Sequence, residues 1–392
     1  MTTVPLRSCS IQVNFVRVDV DFLRTSDVTN DDASVCVCVC VCVCVCVCVW
    51  IANDVPFKRI GKLIVAQNER EEAEKLQEIW SRAEETRRMY ARRFNEHADM
   101  ELRMLTKEEA KALEPELQCS RAIWSPMTGI VDTHTLMETM RAEVEDLGGA
   151  VVTRRRVIGG IAGTGAQSAP HHLLRVADVD GAVTEIECDE VINAAGLGAR
   201  ALLDTIENAE CSWDVIPKVR FAKGNYFSLA KSSAPFRRLV YPLPEPGGLG
   251  VHLTLDMGGR TRFGPDVEWL DDCNTKEIEE ASSSLSMYAV DQRRAEAFYA
   301  SIRRYWPSLV DGALVADYSG LRPKLMYPKS TAQQQQDFWI EPLRLSTGDV
   351  ASSFINAMGI ESPGITSSMA IAEYVEELLL SSTTARRVVV AR

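Results

Sequence analysis

Two strand–glycine–helix junctions restrict the folds that this 392-residue chain can adopt. One is Ile192–Gly198, and the other is Gly359–Thr366, which follows the apolar run Ser353–Ala357. In both places the pattern predicts a buried strand that turns at glycine into a helix. Each junction would present backbone N–H groups and a helix N-terminus at the C-terminal edge of a sheet, where anionic groups bind. The alternative interpretation of each is a plain strand–helix turn that needs glycine for its geometry.

The segments around these junctions predict an α/β chain with two intertwined lobes. The middle third, Lys218–Phe263, is rich in strands with Pro and Gly turns, which indicates an antiparallel sheet. A capping box at Thr106–Glu109 predicts a short helix. Further helices are predicted over Glu69–Arg93, Leu136–Leu147 with Thr133 as its cap, Gln292–Tyr305, and about Ile365 to Leu380. Further strands are predicted over Lys58–Gln67, Ala150–Val157, Leu173–Val176, Val183–Cys188 and Glu190–Ala195.

The charge balance bears on the class of partner. The chain has 43 Lys and Arg against 55 Asp and Glu, a formal net charge of −12. A dedicated nucleic-acid binder would carry a basic footprint, so we expect no nucleic-acid partner. The hydrophobic fraction of 46% is that of a chain with a folded core.

Seven of the twelve cysteines lie in one low-complexity run, Val35–Val49, in which Val and Cys alternate. On a strand, the thiols would share one face and could bind a soft metal ion. Extended to Ala52, the apolar stretch approaches the length of a membrane-spanning helix. The third interpretation, which we favour, is the translation of a GT dinucleotide repeat, because GTG encodes valine and TGT encodes cysteine. Residues 1–34 show neither a secretory nor a transit signal.

The remaining cysteines and the histidines give no metal signature. The other five cysteines are isolated and form no Cys-x-x-Cys pair, so we expect reduced thiols. The histidines have no HxxxH or HExxH spacing, and we expect no metal site. His171 and His172 precede a strand and are expected to be exposed. The segment Gly163–Ser168 comes closest to a Gly-x-Gly-x-x-Gly turn, but it lacks the third glycine and is predicted to be a hairpin loop.

Two polar positions in the predicted sheet are candidates for chemistry. In Gly250–Asp256, alternation places His252 on the face opposite the apolar residues. That face is either solvated or lines a cavity in which a near-neutral imidazole accepts a hydroxyl proton. Arg322 and Lys324 end another strand-like segment, and a guanidinium there either holds a carboxylate in a bidentate manner or forms an ordinary surface pair.

Several motifs in collinear order carry a resemblance to a known family. They are Tyr241–Pro246, Leu249–Asp256, Arg262–Trp269 and Gly359–Thr366, supported by Gly61–Val65, Ser125–Asp132, Ile192–Gly196, Lys223–Tyr226 and Arg322–Lys324. Over roughly Val55–Leu379 the chain resembles the L-2-hydroxyglutarate dehydrogenase group of the FAD-dependent, D-amino-acid-oxidase-like oxidoreductases.

The resemblance implies an incomplete Rossmann-like FAD-binding domain interleaved with a substrate domain on a mixed and antiparallel sheet. The implied FAD lobe covers mainly residues 130–205 and 345–380. The implied substrate lobe covers mainly 55–125 and 206–340. Residues 1–54 fall outside the family, and 381–392 are expected to be a frayed tail.

The resemblance also implies an activity, which is oxidation of L-2-hydroxyglutarate to 2-oxoglutarate with hydride transfer to FAD. Electrons would then pass to an acceptor other than NAD. From chemistry and motif position, we expect His252 to be the base and Arg322 to clamp a carboxylate, assisted by Lys324 or Tyr241. By motif position, Ala194, Ala195 and Gly196 are expected along FAD. The positions expected at its flavin end are Gly359, Ser362, Pro363, Gly364, Ile365 and Thr366.

The chain departs from the family pattern at its start. The family begins with a strand, a Gly-x-Gly-x-x-Gly turn and a helix that bind the ADP half of FAD, whereas residues 1–54 contain no glycine. The alternatives are therefore a flavin-free fragment, the product of a mistaken gene model, or a related amino-acid or amine oxidase. A mitochondrial location follows only from the resemblance to eukaryotic members, and the sequence gives no support for membrane association.

Overall fold

The computed structural model describes residues 54–94, 102–163, 172–212, 215–230, 234–243, 250–270, 285–326 and 337–389. The predictions for the Val–Cys run and for the loop after Gly163 lie outside these residues.

The described residues form helices and strands in the following order along the chain. The α-helices are α1 (Glu69–Glu71, a π-turn Glu72–Leu76, and Gln77–Phe94), α2 (Lys107–Leu113), α3 (Thr133–Asp146), α4 (Ala199–Leu203), α5 (Ala295–Arg303) and α6 (Gly364–Val389). The first strands are β1 (Phe57–Arg59), β2 (Lys62–Ala66), β3 (Arg103–Thr106), β4 (Arg121–Ser125), β5 (Gly129–Val131), β6 (Arg156–Ala162), β7 (His172–Ala177), β8 (Val183–Cys188) and β9 (Val191–Asn193). The later strands are β10 (Ile206–Glu207), β11 (Lys218–Leu229), β12 (Leu239–Pro242), β13 (Leu253–Leu255), β14 (Thr261–Phe263), β15 (Glu268–Trp269), β16 (Leu314–Met326), β17 (Trp339–Arg344) and β18 (Val350–Met358).

A nine-stranded mixed sheet dominates the described residues. Its order is β15-β11-β14-β13-β12-β2-β4-β3, and β16 also pairs with β11. The antiparallel middle is confirmed for β11, β13 and β14. β12 is also antiparallel to β13, as predicted, but on its other side it runs parallel to β2. The reason is that β2 comes from a much earlier part of the chain and enters the sheet through a long crossover, which parallel pairing requires.

Strand alternation divides this sheet into two faces. One face packs into the main core through Leu63, Val240, Leu253, Phe227 and Phe263, all of which are essentially inaccessible to solvent. The opposite face therefore carries the residues between them along each strand. Over β2 and β4 that opposite face is covered by α1, which packs there in a smaller apolar cluster.

The second lobe contains the smaller sheets. β17, β18 and β9 form a three-stranded sheet in which β18 is antiparallel to β17 and parallel to β9. The long helix α6 covers one face of this sheet, where Val375 packs in a cluster with Ile340 and Ile355. A four-stranded sheet, β10-β6-β7-β8, shares the apolar core of this lobe. The mixed α/β architecture predicted from sequence is confirmed.

Several local predictions hold and others need correction. The capping box on Thr106 is present with both of its hydrogen bonds. For α3, however, the cap is Asp132 and not Thr133, since the Asp132 carboxylate accepts the N–H groups of His134 and Thr135. Carboxylates cap helices at least as well as hydroxyls do. The helix predicted from about Ile365 begins at Gly364 and continues to Val389.

The strand predicted over Ala150–Val157 is wrong for its first six residues. The strand begins at Arg156, and Val151 and Val152 are exposed at 47% and 69%. Within the described residues no neighbouring strand offers these backbone groups a ladder partner, so the apolar run remains irregular.

His172 was expected to be exposed and is instead 1% accessible. Its ring lies within hydrogen-bonding distance of the Ser353 hydroxyl, 2.9 Å from Nε2, and its Nδ1 accepts the Gly163 N–H. The histidine therefore joins two sheets of the second lobe, a structural role that its sequence position did not indicate.

Other expectations concern thiols, metals and membranes. Cys119, Cys188 and Cys211 are free thiols, and burial raises the pKa of each, to about 11 for Cys119. In the part of the chain that the structure describes, no three potential metal ligands gather in one place. None of the described helices combines the length and apolarity needed to cross a bilayer.

Candidate active site

The two glycine junctions lie side by side at one edge of the three-stranded sheet. β9 and β18 are parallel neighbours, with Ile192 opposite Ile355 and Asn193 opposite Asn356. Because parallel strands end at the same edge, the residues that follow Asn193 and Met358 emerge next to each other. The sequence predicts each junction separately, and the structure brings them together.

Gly359 is required by both conformation and space. Its φ is +72°, in the left-handed region that favours glycine. A Cβ at this position would lie only 2.4 Å from the Leu325 Cγ. The junction after β18 is therefore in direct contact with the end of β16, which belongs to the nine-stranded sheet.

The surface of the paired junctions is open. Ala194, Ala195 and Ser362 are exposed, and Ile365 is 56% accessible. Gly196 has a φ of +59°, and a Cβ there would meet nothing within 4 Å. The N-terminus of α6, a 26-residue helix, opens at the same place. These junctions therefore leave room for a ligand beside the helix end.

A buried polar pair lies directly beneath this surface. Asn193 donates from Nδ2 to Asn356 Oδ1 at 3.0 Å and to the Ala199 carbonyl at 2.9 Å. Asn356 is fully buried, and its Nδ2 has no hydrogen-bond partner among the described residues. An orphan amide donor of this kind carries a desolvation cost, which an acceptor at the junction would relieve.

Tyr241 and His252 form a stacked pair on adjacent strands of the nine-stranded sheet. Their ring centroids are 3.7 Å apart and the ring planes differ by 10°. Val240 pairs with Leu253 across β12 and β13, so the residues next to that pair face each other on the side away from the main core. His252 is 9% accessible. The stack fixes the plane of the imidazole.

Lys62 was not singled out from the sequence, although it lies in the motif Gly61–Val65. Its ammonium group is 5.1 Å from the centroid of the Tyr241 ring, and the residue is only 3% accessible. A buried cation in an otherwise apolar strand is the signal that could have identified it. The cation comes from β2, on the other side of β12 from His252.

Arg322 and Lys324 lie on the same face of β16 and share one carboxylate. Lys324 Nζ is 2.5 Å from Glu361 Oε1, and Arg322 Nη1 is 3.8 Å from Glu361 Oε2. All three side chains are mostly buried, with exposed fractions of 13% to 21%. Glu361 lies inside the predicted junction Gly359–Thr366, but its pairing across the lobes could not be read from that motif.

The register of the sheet relates the two groups of side chains. Arg322 and Lys324 pair with Ala222 and Arg220 on β11, and the intervening residues of both strands are buried. Alternation along β11 puts Arg322 and Lys324 on the same face of the sheet as Tyr226. Tyr226 lies against Gly264, and the Gly264 N–H donates to the His252 carbonyl at 2.9 Å, so Tyr226 marks the side of the sheet near His252. Tyr226 lies four positions beyond Ala222, roughly 13 Å along β11, so the two groups occupy one face at separate positions.

Comparison with known proteins identifies relatives of this chain. The family model for FAD dependent oxidoreductases matches residues 50–378. The chain is 36% identical over 355 residues to the mitochondrial L-2-hydroxyglutarate dehydrogenase of Arabidopsis thaliana, covering 83% of this chain and 68% of that protein. It is 26% identical to the protein of the same name from Caenorhabditis elegans, covering 82% and 73%. The resemblance predicted from the motifs is confirmed.

A solved structure shares the fold. The L-α-glycerophosphate oxidase of Mycoplasma pneumoniae, determined with FAD bound, superimposes with a TM-score of 0.66 at 19% sequence identity. The superposition covers 87% of this chain and 78% of that one. At this identity the likeness concerns the fold.

Proposed function

The chain belongs to the family of FAD-dependent oxidoreductases, and we propose that it oxidises the C2 hydroxyl of L-2-hydroxyglutarate, giving 2-oxoglutarate. The observation that carries the proposal is the guanidinium of Arg322. The side chain is mostly buried, and it makes no hydrogen bond within the described residues. Its one oppositely charged neighbour there is the Glu361 carboxylate, 3.8 Å away, which is too far for a hydrogen bond. A buried arginine with uncommitted donors is suited to bind a substrate carboxylate.

The cofactor is FAD, and the paired junctions fit its flavin end. The fit rests on the open surface at Ala194–Gly196 and on the orphan Nδ2 of Asn356. The residues that would hold the cofactor are Ala194, Ala195, Gly196, Gly359, Ser362, Pro363, Gly364, Ile365 and Thr366. When bound, FAD supplies the acceptor for the two electrons that leave C2 as hydride. The N-terminus of α6 would favour negative charge at this position.

His252 would act as the base in this reaction. Oxidation of the alcohol breaks the O–H and C2–H bonds and forms a carbonyl, so the hydroxyl proton needs an acceptor. The stack with Tyr241 holds the imidazole in one plane at 3.7 Å and leaves the ring edge as the route for the proton. The low accessibility of His252 limits competition from water.

Arg322 would bind a substrate carboxylate, with Lys324 or Tyr241 assisting. A five-carbon dicarboxylate has an anionic group at each end, and the guanidinium of Arg322 is suited to bind one of them.

The remaining properties follow from the relatives. Several are named as mitochondrial enzymes, and we extend that location to this chain. The substrate is a small molecule, and the electrons leave to an acceptor other than NAD. Fractionation of cells that express a tagged chain tests the location, with enrichment in mitochondria expected and recovery elsewhere contradicting it.

Dye-linked turnover tests the proposed reaction. The full chain supplied with FAD is assayed with L-2-hydroxyglutarate, D-2-hydroxyglutarate, L-lactate and glycine. We expect reduction of the dye with L-2-hydroxyglutarate, formation of 2-oxoglutarate, and much slower reaction with the others. Turnover of glycine alone would identify an amine oxidase instead. The absence of turnover with every acid would indicate the flavin-free alternative.

A further inference from the structure

The carboxylate of Glu361 is a feature that the proposed reaction does not require. It lies on the loop after Gly359, whose Cβ position is filled by Leu325, and it reaches two cations on β16. The Glu361 backbone carbonyl also accepts the Gly364 N–H at the start of α6. Glu361 thus connects β16, which carries Arg322 and Lys324, with the loop that leads into α6.

The two cations are engaged to different degrees. The contact of Lys324 with Glu361, at 2.5 Å, is a close ion pair, whereas Arg322 stands 3.8 Å away, beyond hydrogen-bond length. Among the described residues neither cation has another charged partner. Within this mostly buried group, two positive charges and one negative charge leave a net charge of +1, and the less engaged cation is Arg322. Arg220, opposite Lys324 on β11, is exposed, and its guanidinium lies 4.6 Å over the Trp269 ring on β15, which pairs with the other edge of β11.

We propose that Glu361 determines the charge of the group that binds at Arg322, selecting a monoanionic carboxylate over a dianionic phosphate or phosphonate. The inference rests on the proposed function of Arg322 as the carboxylate-binding residue. A monoanion balances the net charge of +1 in this mostly buried site. A dianion would leave one negative charge unpaired, and uncompensated buried charge is costly. Glu361 would also repel the second charge directly.

Binding of two inert ligands tests this inference. Glutarate and 4-phosphonobutyrate have similar chain lengths and lack the C2 hydroxyl, so neither can be oxidised. They differ at one end, where a carboxylate is replaced by a phosphonate that is dianionic at mildly alkaline pH. Isothermal titration calorimetry on the full chain loaded with FAD gives the ratio of their dissociation constants, and we expect the wild type to prefer glutarate.

The variants change the charge in steps. Glu361→Gln raises the net charge to +2 and should move the ratio toward the phosphonate by about tenfold, since removing one nearby charge is worth about that factor. The double variant Lys324→Gln/Glu361→Gln restores +1 and should return the wild-type preference. Lys324→Gln alone lowers the charge to zero and should weaken both ligands, the phosphonate more. Glu361→Asp keeps the charge and serves as the matched control.

The outcomes separate this inference from the proposed function. An unchanged ratio in Glu361→Gln, or a double variant that behaves like Glu361→Gln, would overturn the role of Glu361. If Glu361→Gln does not fold, the loss of phosphonate binding in Lys324→Gln still tests the charge rule. If the ratios follow the charge but L-2-hydroxyglutarate is not oxidised, the inference stands and the proposed reaction fails. No binding of glutarate to the wild type would refute the inference itself.

Discussion

The two halves of the candidate site are built in different ways. The stack of Tyr241 on His252 forms between neighbouring strands of one sheet and follows directly from their register. The group of Arg322, Lys324 and Glu361 joins that sheet to a loop of the other lobe. The comparison teaches that the proposed proton acceptor depends on one sheet alone, whereas the proposed anion site depends on how the two lobes meet.

The largest expected effect is on turnover, from a change in the group of Tyr241 and His252. His252→Ala removes the proposed proton acceptor and should lower kcat by about 10²- to 10⁴-fold, the usual contribution of a general base, with KM changed little. Steady-state dye reduction with L-2-hydroxyglutarate measures both constants. A rise in KM at unchanged kcat would move His252 from proton transfer to binding and erase the difference between the halves.

The next effect is on substrate binding, from a change in the group of Arg322, Lys324 and Glu361. Arg322→Ala removes a charge-assisted contact with the substrate and should raise KM by about 10- to 100-fold, the range that hydrogen bonds to charged groups produce. The same assay measures it, and Arg322→Lys is the control that retains charge without the bidentate fork. A fall in kcat at constant KM would contradict the binding role.

The contact between the lobes is tested through Gly359. Gly359→Ala adds a Cβ at 2.4 Å from Leu325 in a left-handed conformation, so it should lower the free energy of unfolding by about 1–3 kcal/mol or more. Gly312 has nearly the same φ, +74°, with nothing near its Cβ position, and Gly312→Ala is the matched control for backbone strain alone. Urea denaturation measures both. Equal losses in the two variants would mean that the contact with Leu325 has no energetic weight.

A smaller effect is expected from Tyr241. Tyr241→Ala removes the stack and should lower kcat/KM by about 2- to 10-fold, the free energy of an aromatic pair. Tyr241→Phe keeps the ring and isolates the contribution of the hydroxyl. Equal losses in both variants would show that the hydroxyl, not the stack, positions His252.

The smallest effect is expected from a second buried carboxylate, Glu114, which lies outside the candidate site. Glu114 pairs with Arg238 at 3.2 Å, and burial raises the pKa of Glu114 above the usual 4.5. Because the folded state favours the protonated acid, its contribution to stability is complete below pH 4.5 and is lost as pH rises through the folded pKa. The stability of the wild type relative to Glu114→Gln should therefore fall with rising pH in urea unfolding. A relative stability that increases with pH would contradict this burial effect.

The sequence predicted the elements that depend on local pattern. The capping box at Thr106, the strand Val183–Cys188 and the placement of His252 opposite the apolar core all follow from spacing and alternation. The strand predicted from Ala150 failed because a strand also needs a neighbour, and local propensity does not supply one.

The contacts of the site were less predictable. The stack of Tyr241 on His252 requires the pairing of two strands, and the pairing of Glu361 with Lys324 requires the meeting of two lobes. Lys62 reaches the Tyr241 ring through a parallel crossover that no turn signal indicates. Long-range pairings of this kind are set by the whole fold and not by local sequence.

Anaerobic single-turnover reduction of the bound flavin by L-2-hydroxyglutarate most directly tests the two proposed roles, proton acceptance by His252 and carboxylate binding by Arg322. It does so because it separates substrate binding from the chemical step. The absorbance of the oxidised flavin is followed at increasing substrate in the wild type, His252→Ala and Arg322→Ala. We predict a lower limiting rate with an unchanged half-saturation concentration for His252→Ala, and a higher half-saturation concentration with a nearly unchanged limiting rate for Arg322→Ala. The reverse pattern, or a wild-type flavin that L-2-hydroxyglutarate does not reduce, would contradict the account.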